Sequence, residues 1–126
     1  MKIYLLRHTS LKVNKDTFYG QSDVEVSNNF YNEVSVIKRK INEKNISEKN
    51  FRIFSSPLQR CKKLAGALFE NFIIDDRLKE LDFGDWEMKH INEIPCEHIK
   101  LWEKDIINFK IPNGESNSNF YRRLKS

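Results

Sequence analysis

The sequence predicts an α/β domain in three α/β/α layers, with a mostly parallel sheet between helices. Two observations carry this prediction. Short apolar runs alternate with stretches of helical spacing, and polar residues follow the apolar runs at once. Strands that alternate with helices are typical of a parallel sheet, because each parallel connection needs a crossover. A chain of 126 residues can bury one core, so we expect residues 1–126 to form a single domain.

The first half of the chain contains two predicted strands and one predicted helix. Residues 3–6 form a continuous apolar run that suits a strand covered on both faces. Residues 9–27 form a polar connection whose length is typical of functional loops. Apolar side chains then recur at helical spacing over about residues 29–44. Residues 51–54 are predicted to form the second strand.

A second helix is predicted to begin at Ser56, as its N-cap, with Pro57 at the first helical position. Residues 72–74 are predicted to form a third strand. A further helix is expected near residues 99–109, with Ile99, Trp102 and Ile106 on one stripe, and a last one begins near Ser116. This final helix makes barely three turns and no strand follows it, so the domain is expected to be incomplete at its C-terminus.

Composition excludes several classes of protein. The net charge is +4, from 22 Lys and Arg against 18 Asp and Glu, and the lysines are scattered. A solvated surface is therefore favoured over a nucleic-acid interface. No apolar run approaches the ~20 residues that cross a bilayer. Cys61 and Cys96 lack the spacing of a metal site or redox pair. The N-terminus does not resemble a signal peptide, which favours reduced thiols and a cytoplasmic location.

The residues that suggest chemistry follow the first two apolar runs. Arg7 and His8 come directly after the first run, and Arg60 follows the second. The carboxyl ends of parallel strands are where open α/β sheets bind ligands, and guanidinium groups match phosphate geometry. A neutral His8 could attack phosphorus, since nearby guanidinium charge disfavours its protonated form. Glu80 is the candidate acid for the leaving group, and the arginines leave no need for a metal.

Four ordered blocks of this sequence resemble those of the histidine phosphatase superfamily, also called phosphoglycerate-mutase-like. They span nearly the whole chain: Leu6-Arg7-His8-Thr9, Ser55-Ser56-Pro57-Leu58-Gln59-Arg60-Cys61, Glu80-Leu81-Asp82-Phe83-Gly84-Asp85-Trp86-Glu87 and Pro112-Asn113-Gly114-Glu115-Ser116. Thr9 stands where the family has glycine. The resemblance implies the phosphoglycerate-mutase-like fold, here without its C-terminal strand and helix.

Within the family, the stretch after His8 is most similar to the α-ribazole phosphatase branch, which removes a 5′-phosphate late in cobalamin assembly. The resemblance implies a small phosphorylated substrate and no cofactor or metal. It also implies the following roles: His8 as phosphorylated nucleophile, Glu80 as acid and then base, and Arg7, Arg60, Asn14 and Gln21 as phosphate-binding residues.

One departure from the family pattern keeps alternatives open. The family has a second active-site histidine in a later block that these 126 residues do not contain, and His90 and His98 are read as surface residues. The alternatives are a phosphoglycerate-mutase-type phosphotransferase, a phosphate-ester-binding protein without turnover, and a truncated product without stable activity. Trp86 and Trp102 are expected to be structural anchors rather than substrate contacts. The oligomeric state is left open.

Overall fold

The computed structural model describes all residues from 1 to 126. The chain divides into two compact units. The first unit comprises Met1–Lys12 and Asp23–Asp75, and the second comprises Val13–Ser22 and Asp76–Ser126. None of the helices is long and apolar enough to span a membrane.

The first unit contains the sheet. Strand β1 (Phe54–Ser55) pairs in parallel with strand β2 (Ile73–Ile74), in the register Phe54 to Ile73 and Ser55 to Ile74. The connection between them contains helix α2 (Gln59–Leu68). This strand–helix–strand order confirms the predicted α/β class with a parallel sheet, although both strands are shorter than the apolar runs suggested.

Two amphipathic helices form the core of the first unit. Helix α1 (Phe30–Glu43) lies within the predicted range and packs on α2. Their contact buries Phe30, Val34 and Leu64. Past the end of α2, the carboxylate of Glu48 accepts hydrogen bonds from the Glu70 and Asn71 backbone N–H groups, at 3.0 and 2.7 Å. These bonds lower the pKa of Glu48 and fix the turn that leads into β2.

The predicted strand at residues 3–6 is wrong for this structure. No backbone hydrogen bond joins these residues to another segment, and Ile3 and Leu5 are 70% and 92% exposed. Only Tyr4 has an aromatic neighbour, an edge contact with Phe51 at 5.5 Å between ring centroids. An apolar run becomes a strand only if a second strand lies beside it, and that partner is a non-local property.

The predicted start of α2 is also wrong. The N-cap is Leu58 rather than Ser56, and Pro57 precedes the helix. The Ser56 hydroxyl accepts a 3.3 Å hydrogen bond from the Leu58 N–H instead. The N–H of Gln59 donates to the Asp23 carboxylate at 3.2 Å. A carboxylate distant in sequence therefore satisfies one of the unpaired donors at the start of this helix.

The second unit is built from short helices around aromatic side chains. It contains 3₁₀ turns at Asp76–Leu78, Gly84–Trp86 and Ile91–Glu93, followed by α3 (Cys96–Lys104) and α4 (Asn117–Lys125). Its core comprises Leu81, Trp86, Ile94 and Ile111. Trp86 is only 2% exposed and Trp102 packs against it, so both tryptophans are structural, as expected.

The helices of the second unit differ in part from those predicted. Helix α3 begins and ends earlier than expected, so Ile106 lies outside it and is 51% exposed. The predicted start of α4 is confirmed, because Ser116 is the N-cap and accepts a 3.2 Å hydrogen bond from the Asn119 N–H. His90 has a structural role, since its Nδ1 accepts a hydrogen bond from the Asn92 N–H at 3.1 Å and caps a 3₁₀ turn.

Candidate active site

The candidate nucleophile, His8, is half-buried in the first unit, where the predicted strand gives way to the long polar connection. Its Nδ1 lies 2.8 Å from the carbonyl oxygen of Thr9. A carbonyl oxygen only accepts hydrogen bonds, so Nδ1 carries the proton in this contact. The lone pair of the neutral ring is then on Nε2, and this bond also fixes the orientation of the imidazole.

The two candidate phosphate arginines occupy different environments in the first unit. Arg7 is exposed, and its guanidinium forms no hydrogen bond or ion pair with another side chain. Arg60 lies in the first turn of α2 and is only 2% exposed. It lines a cavity of about 380 Å³ together with Asp23, Val24, Glu25, Val26, Gln59 and Lys63. Arg7 and His8 do not line this cavity.

Thr9 is buried beside His8, with 4% of its surface exposed. Its hydroxyl has no hydrogen-bond partner in the protein. A buried hydroxyl without a partner has an unfavourable desolvation energy that a smaller or apolar side chain would avoid. The residue at this position therefore affects the stability of the nucleophile's segment.

The candidate acid, Glu80, lies in the second unit, and its side chain is exposed. Its Oε1 accepts a 2.8 Å hydrogen bond from the N–H of the next residue, Leu81. Because of this hydrogen bond, the Glu80 carboxyl group lies against the backbone of the next residue. The direction of the carboxyl group therefore depends on the conformation of residues 80–82.

The structure brings Gln21 to Glu80, both in the second unit. The Gln21 side-chain amide donates to the carbonyl oxygen of Glu80 at 3.3 Å. The Gln21 N–H in turn donates to Glu87 at 2.8 Å. Asn14, also in this unit, is exposed and makes no side-chain hydrogen bond. The contact between Gln21 and Glu80 therefore ties a predicted phosphate residue to the predicted acid within one unit.

Sequence reasoning did not single out Glu87, Glu115 or Arg123, which together hold the segments of Gln21 and Glu80. Glu115 and Arg123 form a two-pronged ion pair, with Nε to Oε1 at 3.0 Å and Nη2 to Oε2 at 2.8 Å. Burial raises the pKa of Glu115, but hydrogen bonds from Arg123 and the Asp82 N–H, together with the Arg123 charge, leave that pKa lowered. The two glutamates lie inside the quoted sequence blocks, whereas nothing near Arg123 in the sequence predicts its partners.

No group of three or more His, Cys, Asp or Glu side chains is arranged to hold a metal ion. Cys61 is half-buried and Cys96 is exposed. The groups that the structure offers for chemistry are therefore an oriented imidazole, guanidinium groups and carboxyl groups.

A family model of the histidine phosphatase superfamily (branch 1) matches residues 3–126. The chain belongs to the histidine phosphatase superfamily. The match extends over both units, and it confirms the family to which the four sequence blocks pointed.

Curated relatives of this histidine phosphatase chain have different names. A protein of Hydrogenobacter thermophilus, provisionally named phosphoserine phosphatase 2, is 26% identical over 99% of the chain and 64% of its own length. An Escherichia coli protein, provisionally named phosphoglycerate mutase GpmB, is 28% identical over 92% of the chain and 56% of its own length. Phosphatase and mutase names therefore both occur among its relatives.

Solved structures confirm the fold. A crystal structure from Escherichia coli, provisionally named an alpha-ribazole-5′-P phosphatase, superposes with a TM-score of 0.81 at 22% identity. It covers 95% of this chain, and the chain covers 61% of it. The chain thus spans about three-fifths of the length of the proteins that it matches.

Proposed function

We propose that this chain acts as a phosphomonoester hydrolase through a phosphohistidine at His8. The observation that supports this most directly is the 2.8 Å contact between His8 Nδ1 and the Thr9 carbonyl. In the neutral ring, this contact leaves the lone pair on Nε2 of an imidazole that is already oriented. An oriented neutral imidazole is what nucleophilic attack on phosphorus requires.

The proposed reaction has two steps. In the first, His8 Nε2 bonds to phosphorus, the ester P–O bond breaks, and the leaving oxygen takes the proton of the Glu80 carboxylic acid. In the second, the Glu80 carboxylate removes a proton from water, whose oxygen bonds to phosphorus as the bond to Nε2 breaks. A single carboxyl group therefore serves as acid and then as base. Every proton is accounted for without a cofactor or metal.

The remaining candidates are proposed to bind the phosphate. Arg7 and Arg60 supply positive charge and paired N–H donors, which stabilise the charge that develops on the transferring phosphoryl group. Asn14 and Gln21 supply neutral amide donors. The amide of Gln21, which contacts Glu80, supports this assignment more strongly than does the exposed side chain of Asn14.

The proposed substrate is α-ribazole 5′-phosphate or a similar small phosphate ester of cobalamin assembly, in the cytoplasm. The similarity to the solved alpha-ribazole-5′-P phosphatase supports this choice. We also propose that residues 1–126 belong to a single histidine phosphatase domain, since one family model matches residues 3–126. A mutase that transfers phosphate between hydroxyls of one substrate is the second candidate, and the relative named as a phosphoglycerate mutase favours it.

The proposal is tested with the 126-residue chain and with any longer polypeptide that contains it. We expect hydrolysis of p-nitrophenyl phosphate in the presence of EDTA, and an acid-labile, base-stable phosphoryl label on His8 after rapid quenching. His8→Asn should abolish both signals. His98→Asn is the matched control, because the His98 side chain makes no hydrogen bond.

The second candidate predicts a different product pattern. A mutase would interconvert phosphoglycerates faster than it releases phosphate, whereas a hydrolase would release phosphate from α-ribazole 5′-phosphate or phosphoserine. Full turnover by His8→Asn would exclude the phosphohistidine route. Phosphate binding by calorimetry without any turnover would favour a binding protein instead.

A further inference from the structure

The backbone that carries Glu80 is held by one arginine of α4. Arg123 donates from Nη1 to the carbonyl oxygens of Arg77 and Lys79, at 2.8 and 2.9 Å. Its Nη2 donates to the carbonyl oxygen of Glu80 at 3.4 Å. One guanidinium group therefore binds three carbonyl oxygens that all lie within residues 77–80.

Glu115 completes this arrangement from the other side. Its carboxylate pairs with Arg123 and also accepts a 3.0 Å hydrogen bond from the Asp82 N–H through Oε2. Its own N–H donates to the Asp82 carbonyl at 2.9 Å. The ion pair is largely shielded from water, because about a fifth of each side chain is exposed (22% for Arg123 and 20% for Glu115).

The contacts of Arg123 and Glu115 flank the hydrogen bond that orients the Glu80 carboxyl group. The Glu80 carboxyl group is oriented by the Leu81 N–H. The Leu81 N–H belongs to the peptide unit whose carbonyl is the Glu80 oxygen that Arg123 binds. The next N–H along the chain, that of Asp82, is bound by Glu115. Rotation of the peptide unit that contains the Leu81 N–H would therefore break hydrogen bonds to Arg123 or Glu115.

A planar guanidinium group can bind the carbonyl oxygens of residues 77–80 and the Glu115 carboxylate at once, which a simple positive charge could not do. Arg123 uses Nε, Nη1 and Nη2 at once, in one plane, and its Cζ lies 5.0 Å from the centre of the Phe120 ring. A lysine at this position would keep the charge, but its ammonium group cannot reproduce the planar fork. Arg123→Lys therefore removes the planar arrangement of N–H donors but keeps the positive charge.

We propose that Arg123 and Glu115 are positioning residues that fix the direction in which the Glu80 carboxyl group presents its proton. The inference rests on the proposed function, since it gives the pair a role in catalysis through Glu80. A positioning role of this kind predicts a defect that depends on how much the leaving group needs a proton.

The test compares Arg123→Lys with the control Arg122→Lys, whose arginine is exposed and makes no side-chain hydrogen bond. An alkyl phosphate such as glycerol phosphate needs a proton on its leaving oxygen, whereas p-nitrophenyl phosphate releases a stable phenolate. We expect Arg123→Lys to lower kcat/KM, which reports the step that forms the phosphohistidine, about tenfold or more for the alkyl ester and about threefold or less for the aryl ester. The second step is common to both esters, so it does not enter this comparison.

Equal losses of kcat/KM on both esters, or no loss on either, would overturn the positioning role. Amide hydrogen exchange gives a readout that needs no activity. The Leu81 and Asp82 N–H groups should exchange about tenfold faster in Arg123→Lys than in Arg122→Lys, while amides of α3 keep their rates. Unchanged exchange at these two amides would also overturn the inference.

Failure of the proposed function would look different. In that case the unaltered chain would form no phosphohistidine and release no phosphate from either ester. The exchange of the Leu81 and Asp82 amides would still show whether the ion pair fixes this segment. The two failures can therefore be told apart.

Discussion

The carboxylate of Glu87 accepts a 2.9 Å hydrogen bond from the backbone N–H of Gly20, far away in the sequence. The same carboxylate accepts hydrogen bonds from the Gln21 N–H, the Ser22 hydroxyl and the Phe83 N–H. Gly20 approaches so closely that an added Cβ would lie 1.8 Å from the Leu81 carbonyl oxygen. Glu87 therefore holds the loop that contains Gln21 directly against the block that contains Glu80.

Replacement of Glu87 by Gln should destabilise this loop. The amide NH₂ would face backbone N–H groups, and hydrogen bonds to a charged acceptor would be lost. Such bonds contribute about 1.5–3 kcal/mol each. We expect the free energy of unfolding, from urea denaturation, to fall by about 2 kcal/mol. Glu103→Gln is the matched control, because Glu103 is exposed on α3 and its side chain makes no hydrogen bond or ion pair.

Met88 adopts a left-handed backbone conformation, with a φ of 61°, directly after Glu87. A side chain with a Cβ is strained in this region, and Met88 is 49% exposed, so little packing depends on it. Met88→Gly should therefore raise the free energy of unfolding by about 1 kcal/mol. Met88→Ala keeps the Cβ and should give no such gain in thermal unfolding. A Met88→Gly variant less stable than Met88→Ala would contradict this prediction.

The lowered pKa of Glu115 predicts a loss of stability in acid. Its ordinary pKa is 4.5, and the folded value is lower. The ionised carboxylate thus stabilises the fold above about pH 4.5, and this contribution disappears as the pH falls through the folded pKa. We expect the midpoint of thermal unfolding to decrease less steeply below pH 4.5 in Glu115→Gln than in the unaltered chain. Parallel curves for the two proteins would show that another group governs the acid transition.

The buried hydroxyl of Thr9 predicts a stabilising substitution. Valine has the same shape and lacks the hydroxyl that has no partner in the protein. Thr9→Val should raise the free energy of unfolding by about 1 kcal/mol, whereas Thr9→Ser keeps the hydroxyl and loses a methyl group, and should lower it. Chemical denaturation of the three proteins measures the difference. Destabilisation by valine would mean that water or a ligand satisfies this hydroxyl in solution.

The sequence predicted correctly those features of the fold that depend on a few neighbouring residues. Helix α1 followed from apolar spacing, and the start of α4 near Ser116 was predicted from the residues around it, where the structure shows Ser116 to be the N-cap. The family blocks also identified the His8 segment. The hydrogen bond between His8 Nδ1 and the Thr9 carbonyl could not be predicted, because it depends on the backbone conformation at these residues. Local periodicity and capping are properties of a few neighbouring residues, so a single sequence contains them.

Features that depend on distant partners could not be predicted. Asp23 binds the first turn of α2, and no local signal links it to Gln59. Arg123 resembles any arginine near the end of a short helix, yet it binds carbonyl groups more than 40 residues away. Residues 3–6 satisfied the local criteria for a strand but have no partner strand. In each case a tertiary contact, absent from the local sequence, decides the outcome.

The exposed apolar segment at residues 3–6 has a practical consequence for handling the protein. Unpaired N–H and C=O groups beside exposed aliphatic side chains form a template for strand addition between molecules. Concentrated solutions of these 126 residues should therefore self-associate through this segment, and a lysine at position 5 would act as a gatekeeper against it. Measurements of turnover or stability are accordingly best made on dilute samples.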